Sequence, residues 1–153
     1  MKINIVTITG GIIILFFGLV ILPMYYIGIL NWRTDAVNTQ IAARNFVDMV
    51  IDNGYVTEKA LTDLNLTLSG CYGTYTYEYY RDEKVTNPNP DDPSKAEVSW
   101  IKTEVTEDTV WRSGDIITIV IKQRGVNLLQ RISMNFLGSS YNTLDIRLAG
   151  MVR

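Results

Sequence analysis

The chain has 153 residues, a net charge of −2, no histidine and a single cysteine, Cys71. The lack of histidine excludes imidazole acid–base catalysis, Ser-His and Cys-His nucleophile pairs and most zinc sites. The small net charge, without any basic run, argues against nucleic acid as a partner. We therefore predict no catalytic residue, cofactor site or metal site. Cys71 is expected to be a small buried residue, with an intermolecular disulfide or a lipid attachment as the alternatives.

The N-terminal segment is strongly apolar. No charged residue lies between Lys2 and Arg33, and residues 12–30 are almost all apolar or aromatic. A helix over the whole uncharged stretch between Lys2 and Arg33 measures about 40–45 Å, which exceeds a bilayer core of about 30 Å. A cleavable signal peptide has a shorter apolar region that ends in a small-x-small site, and no such site is present near Pro23. The sequence predicts a retained transmembrane helix over residues 1–32.

The orientation of this anchor is predicted from its flanks. The two flanks differ by about one positive charge, which slightly favours a cytoplasmic N-terminus. The size of the C-terminal part points the same way, so we predict a single-pass cell-membrane protein with residues 33–153 as an extracellular domain. Trp32 suits the membrane–water boundary, although packing against a neighbouring helix is an alternative.

Four residues of the anchor favour contact with other helices. Proline removes a backbone hydrogen bond and predicts a kink or locally unwound turn at Pro23. Lipid tolerates such a turn where neighbouring helices satisfy the freed carbonyl. Gly10, Gly11 and Gly18 would allow a second helix to approach closely. These residues indicate a helix that packs among others.

The helix is predicted to continue beyond the membrane as an amphipathic segment over residues 33–53. No glycine or proline interrupts residues 34–52, and Asn53-Gly54 is a typical stop. Apolar side chains recur on one face at helical spacing. These are Ala36, Ala43, Phe46, Val47 and Val50.

A short helix is predicted over residues 57–68. Thr57 is a suitable N-cap, and Glu58 favours the positive end of the helix. Val56 and Leu61 have the spacing of a hydrophobic staple.

Residues 74–149 are predicted to form antiparallel strands. The alternating segments are residues 74–81, 97–105, 115–122, 131–137 and 144–148. The most apolar of them, residues 115–122, is expected to be central. Residues 82–95 are predicted to be an exposed proline-rich loop. Alternation with a polar outer face indicates a sheet that the amphipathic helix covers on one side only, which gives an α+β fold.

This architecture resembles the lollipop shape of type IV pilin-like proteins. The local sequence is similar to TadE-like proteins of tight-adherence pilus systems and their Gram-positive relatives. In that family an apolar helix with a proline is followed by a small-small-Arg segment, as at Pro23 and at residues 42–47. The likeness covers residues 12–70. Type IV prepilins also carry a glutamate at the fifth position of this helix, where the present chain has Ile5 or, counted after Gly11, Phe16.

The resemblance implies a pilin-like structural subunit of a surface filament or of its assembly complex, with a role in cell adhesion. Its partners would be the membrane, further copies or other pilin-like subunits, and assembly machinery. The residues predicted to serve helix packing and assembly are Gly10, Gly11, Gly18, Pro23, Ala42, Ala43, Phe46, Val47 and Val50.

The alternative is a bitopic accessory subunit of a membrane secretion or conjugation machine, whose helix never leaves the membrane. A glycan- or surface-binding module on the same anchor, with the tyrosine-rich first strand as its site, is a third hypothesis.

Overall fold

A computed structural model describes residues 5–89, 92, 95–106, 109–137 and 143–153. A long N-terminal helix carries a four-stranded antiparallel sheet, which confirms the predicted α+β fold class. The elements are α1 Ile5–Phe16, a π-helical segment Phe17–Ile21, α2 Leu22–Asn53, α3 Glu58–Ser69, β1 Thr74–Pro88, β2 Ala96–Thr103, β3 Ile116–Gly125, α4 Leu128–Leu137 and β4 Asp145–Met151. The first three form one uninterrupted helix, Ile5–Asn53, called here the N-terminal helix.

The predicted end of the N-terminal helix and the predicted start of the short helix that follows are both confirmed. Gly54 closes α2 in the left-handed conformation, with a φ of 73°, and its N–H donates to the Val50 carbonyl at 2.9 Å. The Thr57 hydroxyl then accepts the backbone N–H of Ala60 at 3.1 Å and caps α3.

The strand order is β2-β1-β3-β4, so β1 and β3 are the inner strands. The predicted central segment 115–122 corresponds to β3, as expected from its apolar composition. The first half of β1 pairs with β3, while its second half pairs with β2, from Arg81 opposite Thr103 to Pro88 opposite Ala96. The β1–β2 hairpin therefore extends beyond the rest of the sheet.

The prediction of a loop over residues 82–95 is wrong in its first half. Residues 82–88 are strand, because β2 supplies a partner opposite each of them. The proline in this part of the strand, Pro88, is its last residue, where a missing N–H is tolerated. Pro90 and Pro93 lie outside the described residues.

The prediction of a strand over residues 131–137 is also wrong, because this segment belongs to α4. Its start is a reciprocal cap: the Gln130 N–H donates to the Asn127 side-chain oxygen at 2.8 Å, and the Asn127 N–H donates to Gln130 Oε1 at 3.0 Å. Such a capping box satisfies two backbone donors at a helix start. This capping box outweighs the strand-like alternation of residues 131–137, which follow it.

The core lies between α2 and the inner face of the sheet. Ile117, Ile119 and Ile121 of β3 are buried there. Phe46 of α2 packs on the Tyr79 ring at a centroid distance of 5.3 Å. Helix α3 also packs against α2, and its own buried side chains join the same core. The sheet is thus covered on one side by helices, as predicted. We call the unit formed by the described part of residues 54–153, which packs on α2, the head.

Candidate functional site: the apolar half-helix and its junction with the head

The first half of the N-terminal helix is uncovered. Within the described part of the chain, this helix alone is long and apolar enough to cross a membrane, with a mean hydropathy of 2.8 and no buried residue in its most apolar window. Ile5 is 78% exposed and Leu19 is 74% exposed. Residues 5–30, called here the apolar half-helix, could therefore be a membrane anchor. Lys2, on the predicted cytoplasmic flank, lies outside the described residues.

The predicted irregularity at Pro23 is present as a π-helical segment just before it. The Leu22 N–H donates to the Phe17 carbonyl, five residues earlier, instead of four. Pro23 follows this segment closely, as the second residue of α2. The wider π turn is a form of local unwinding, and the helix passes through it without a break.

The three glycines of the apolar half-helix face open space. A Cβ atom added at Gly10, Gly11 or Gly18 would meet nothing within 4 Å. Their small size therefore serves no contact inside the described chain. It leaves a surface on which another helix could approach the backbone closely.

The remaining predicted packing residues contact the head of their own chain. Ala42, Ala43, Phe46, Val47 and Val50 are all buried, with exposures of 0 to 3%. They form the apolar stripe that holds α2 on the sheet. Because the chain itself covers them, they are not available to a second subunit in this structure.

At the junction between the two halves lies a buried carboxylate that was not among the predicted site residues. Asp35 has no exposed surface, and it accepts backbone N–H groups from Tyr72 and Gly73, each at 2.7 Å. It also accepts the Tyr75 hydroxyl at 3.0 Å and the Gln130 side-chain amide at 3.1 Å. One side chain of α2 thereby holds the start of β1 and helix α4.

The space around Asp35 is close-packed and polar. A Cβ atom added at Gly73 would lie 2.7 Å from the Gln123 amide and 3.2 Å from Asp35 Oδ2. Burial and the charge of Asp35 raise the pKa of the Tyr75 hydroxyl above its usual range. The same two causes raise the pKa of the Cys71 thiol to about 11. Cys71 is half-buried and free, and the junction keeps its thiol protonated at neutral pH.

A second buried carboxylate lies at the other end of the head. Asp115 receives the Arg81 guanidinium at 2.8 and 2.9 Å, and backbone N–H groups of Lys84 and Arg112 at 3.0 and 2.7 Å. Burial alone would raise its pKa, but these donors and the Arg81 charge hold the pKa below its ordinary value. The charged Asp115 side chain therefore links β1 to the start of β3 and to the turn before it.

Neither carboxylate is part of a metal-binding arrangement. The described residues contain no group of three or more histidine, cysteine, aspartate or glutamate side chains that could hold a metal ion. The hydrogen-bond donors to Asp35 and Asp115 come from other residues of the same chain. We therefore assign both carboxylates to stabilising the fold.

Comparison of the chain with protein-family models, curated proteins and solved structures found no match.

Proposed function

We propose that this chain is a pilin-like structural subunit, stored in the membrane by its apolar half-helix and able to pack that helix against other subunits in a surface filament or its assembly complex. The observation that carries the proposal is the division of one continuous helix. One face of its second half is buried by the head, whereas residues 5–27 of its first half contain no buried residue.

The energetics of the apolar half-helix require a covering environment. Burial of one Leu, Ile or Phe side chain is worth about 1.5–3 kcal/mol. The helix exposes many of these, including Ile14 at 73% and Leu19 at 74%. It is therefore stable in lipid or against protein, and a stack of identical helices would replace lipid with equivalent apolar contacts. The heads would then remain on the outside.

Three further features support this proposal. The open surface at Gly10, Gly11 and Gly18 would let neighbouring helices approach closely. The unbroken passage from the apolar half-helix into α2 gives each subunit a rigid stalk. The resemblance of residues 12–70 to TadE-like proteins agrees with both.

A bitopic accessory subunit of a secretion or conjugation machine is the second candidate, and the π-helical segment favours it. Pro23 has no N–H to donate, so a carbonyl one turn earlier loses its donor within the span. A neighbouring protein helix can satisfy such a carbonyl in a membrane complex. In that role the apolar half-helix would stay in lipid permanently.

Electron microscopy of the surface-sheared fraction, with an antibody against the head, tests the proposal. Label along thin filaments supports a major subunit, and label only at filament ends supports a minor one. Unlabelled filaments, with the protein confined to the membrane pellet, would refute the pilin-like role and favour the accessory one.

A pair of variants in the apolar half-helix separates packing from folding. Gly18→Leu adds a large side chain where the chain itself has open space, so the head should fold normally while labelled filaments are lost. Leu19→Ile conserves volume at a neighbouring position that is 74% exposed, and it should leave filaments intact.

A further inference from the structure

Helix α4 lies where the N-terminal helix leaves its apolar half. The Gln130 amide of α4 donates to Asp35, and α4 packs more extensively on α2 than any other element of the head. The buried face of α2 begins with Gly28, Asn31 and Asp35. At 1.5 Å per residue, Gly28 lies about 10 Å from Asp35 toward the membrane, which is within the apolar half-helix. The head therefore reaches the level at which the span ends.

At this level α4 turns its apolar side outward. Among the side chains of α4 that the structure describes, Gln130 is the buried one, at 3% exposure, and it faces α2. Leu128 and Ile132 each lie two positions from Gln130, which places them about 160° away from it around the helix. Leu128 is 70% exposed, and Ile132 is only partly covered. The side of α4 that points away from α2 thus carries Leu128 and Ile132, together with the exposed Asn135.

Three basic side chains lie at the level of the Asp35 junction, near Gly73 and Gln130. Arg33 of α2, Arg124 of β3 and Arg131 of α4 are all exposed. None of them forms a salt bridge with a carboxylate of the described residues, although Arg124 donates to the Thr76 hydroxyl at 3.1 Å. The exposed acid at this end of the sheet is Asp145, which lies opposite Lys122. An apolar strip with arginines at the same level matches the boundary between acyl chains and lipid phosphates.

We propose that α4 is an interfacial helix that docks the head onto the same bilayer that holds the anchor. Leu128 and Ile132 enter the boundary between headgroups and acyl chains, and Arg33, Arg124 and Arg131 contact the phosphates of anionic lipids. This docking rests on the membrane-anchored state of the proposed function. It adds a second membrane contact that a subunit must release before it leaves the bilayer.

The occupant is lipid, because the docking surface continues the surface of a helix that is itself lipid-compatible. Residues 5–27 contain no buried residue, and the first buried one, Gly28, is on the face of α2 that α4 adjoins. The arginines supply the charge that anionic headgroups require. A second copy of the chain would instead have to cover both the apolar strip and the arginines.

Fluorescent labels at matched leucines test this docking in the full chain. In a Cys71→Ser background, single cysteines replace Leu128, Leu66 or Leu19 and carry an environment-sensitive fluorophore. Leu128 and Leu66 are both 70% exposed leucines on helices of the head, so they differ in position and not in exposure. Leu19 reports insertion of the anchor. The protein is reconstituted at high dilution in phosphatidylcholine–phosphatidylglycerol vesicles with brominated acyl chains.

We expect strong quenching at position 19 and at least about two-fold stronger quenching at position 128 than at position 66. Adding Arg131→Glu should weaken the quenching at 128 in these anionic vesicles. Quenching at 19 with equal, weak quenching at 128 and 66 would overturn the docking and leave the anchor standing. Absence of quenching at 19 would overturn both. A further outcome is fluorescence at position 128 that reports an apolar environment, strengthens with the protein-to-lipid ratio and is not quenched by brominated lipid. That result would identify a second copy as the cover and would also overturn the docking.

Discussion

Replacement of Asp35 by alanine should strongly destabilise the head. The carboxylate accepts four donors: the N–H groups of Tyr72 and Gly73, the Tyr75 hydroxyl and the Gln130 amide. A donor left unsatisfied in a buried site costs about 1–3 kcal/mol. Water can enter the space that alanine leaves, so we take the low end, about 1 kcal/mol for each donor. The expected loss is about 4 kcal/mol, a large part of the 5–15 kcal/mol typical of a domain.

Urea unfolding of the full chain in detergent micelles, followed by tryptophan fluorescence, measures this loss. With an m value of about 2 kcal/mol per M, the midpoint should fall by about 2 M. Asp35→Asn keeps the shape but presents an NH₂ group to some of the donors, so about half of the loss is expected. Asp48→Ala, at an exposed position of the same helix, is the control and should change stability by less than about 0.5 kcal/mol. An Asp35→Ala variant within about 1 kcal/mol of the unmodified chain would refute the role of this carboxylate.

Three further predictions concern the rest of the head. Gly150→Ala places a methyl group 2.6 Å from Val47 Cγ1, so thermal unfolding should show a loss of about 1–2 kcal/mol; an unchanged melting temperature would contradict this close approach. Because the pKa of Asp115 is lowered on folding, its stabilisation is present at pH values above the unfolded pKa and is lost as the pH falls through the folded pKa; urea titrations across the acidic range should show this loss in the unmodified chain and not in Asp115→Asn. Since the pKa of Cys71 is raised to about 11, iodoacetamide at neutral pH should alkylate the folded chain about 100-fold more slowly than the urea-unfolded chain, and mass spectrometry showing equal rates would contradict the raised pKa of this half-buried thiol.

Local signals in the sequence predicted most of the architecture. The stop at Gly54 and the cap at Thr57 act within one helical turn, so neighbouring residues alone decide them. Residues 115–122 are apolar enough to require burial on an inner strand. These features do not depend on distant contacts, and the structure confirms them.

The errors arose where a pattern was short or where its partners were distant. Alternation over residues 131–137 fits a strand, whereas the cap formed by Asn127 and Gln130 lies just before that window. Asp35 lies next to the predicted membrane boundary, where an aspartate side chain is ordinarily exposed. Its position on the buried face of α2, one turn before Thr39, was the available signal. Its partner Gln130 lies 95 residues away, and no local pattern indicates that contact.

Mass spectrometry of a detergent-free, surface-sheared fraction would test most directly whether the apolar half-helix leaves lipid. A pilin-like subunit predicts sedimentable assemblies without phospholipid, in which peptides from residues 5–30 are as abundant as peptides from the head. Recovery of the chain only from membranes after detergent extraction, or of head peptides without residues 5–30, would contradict it.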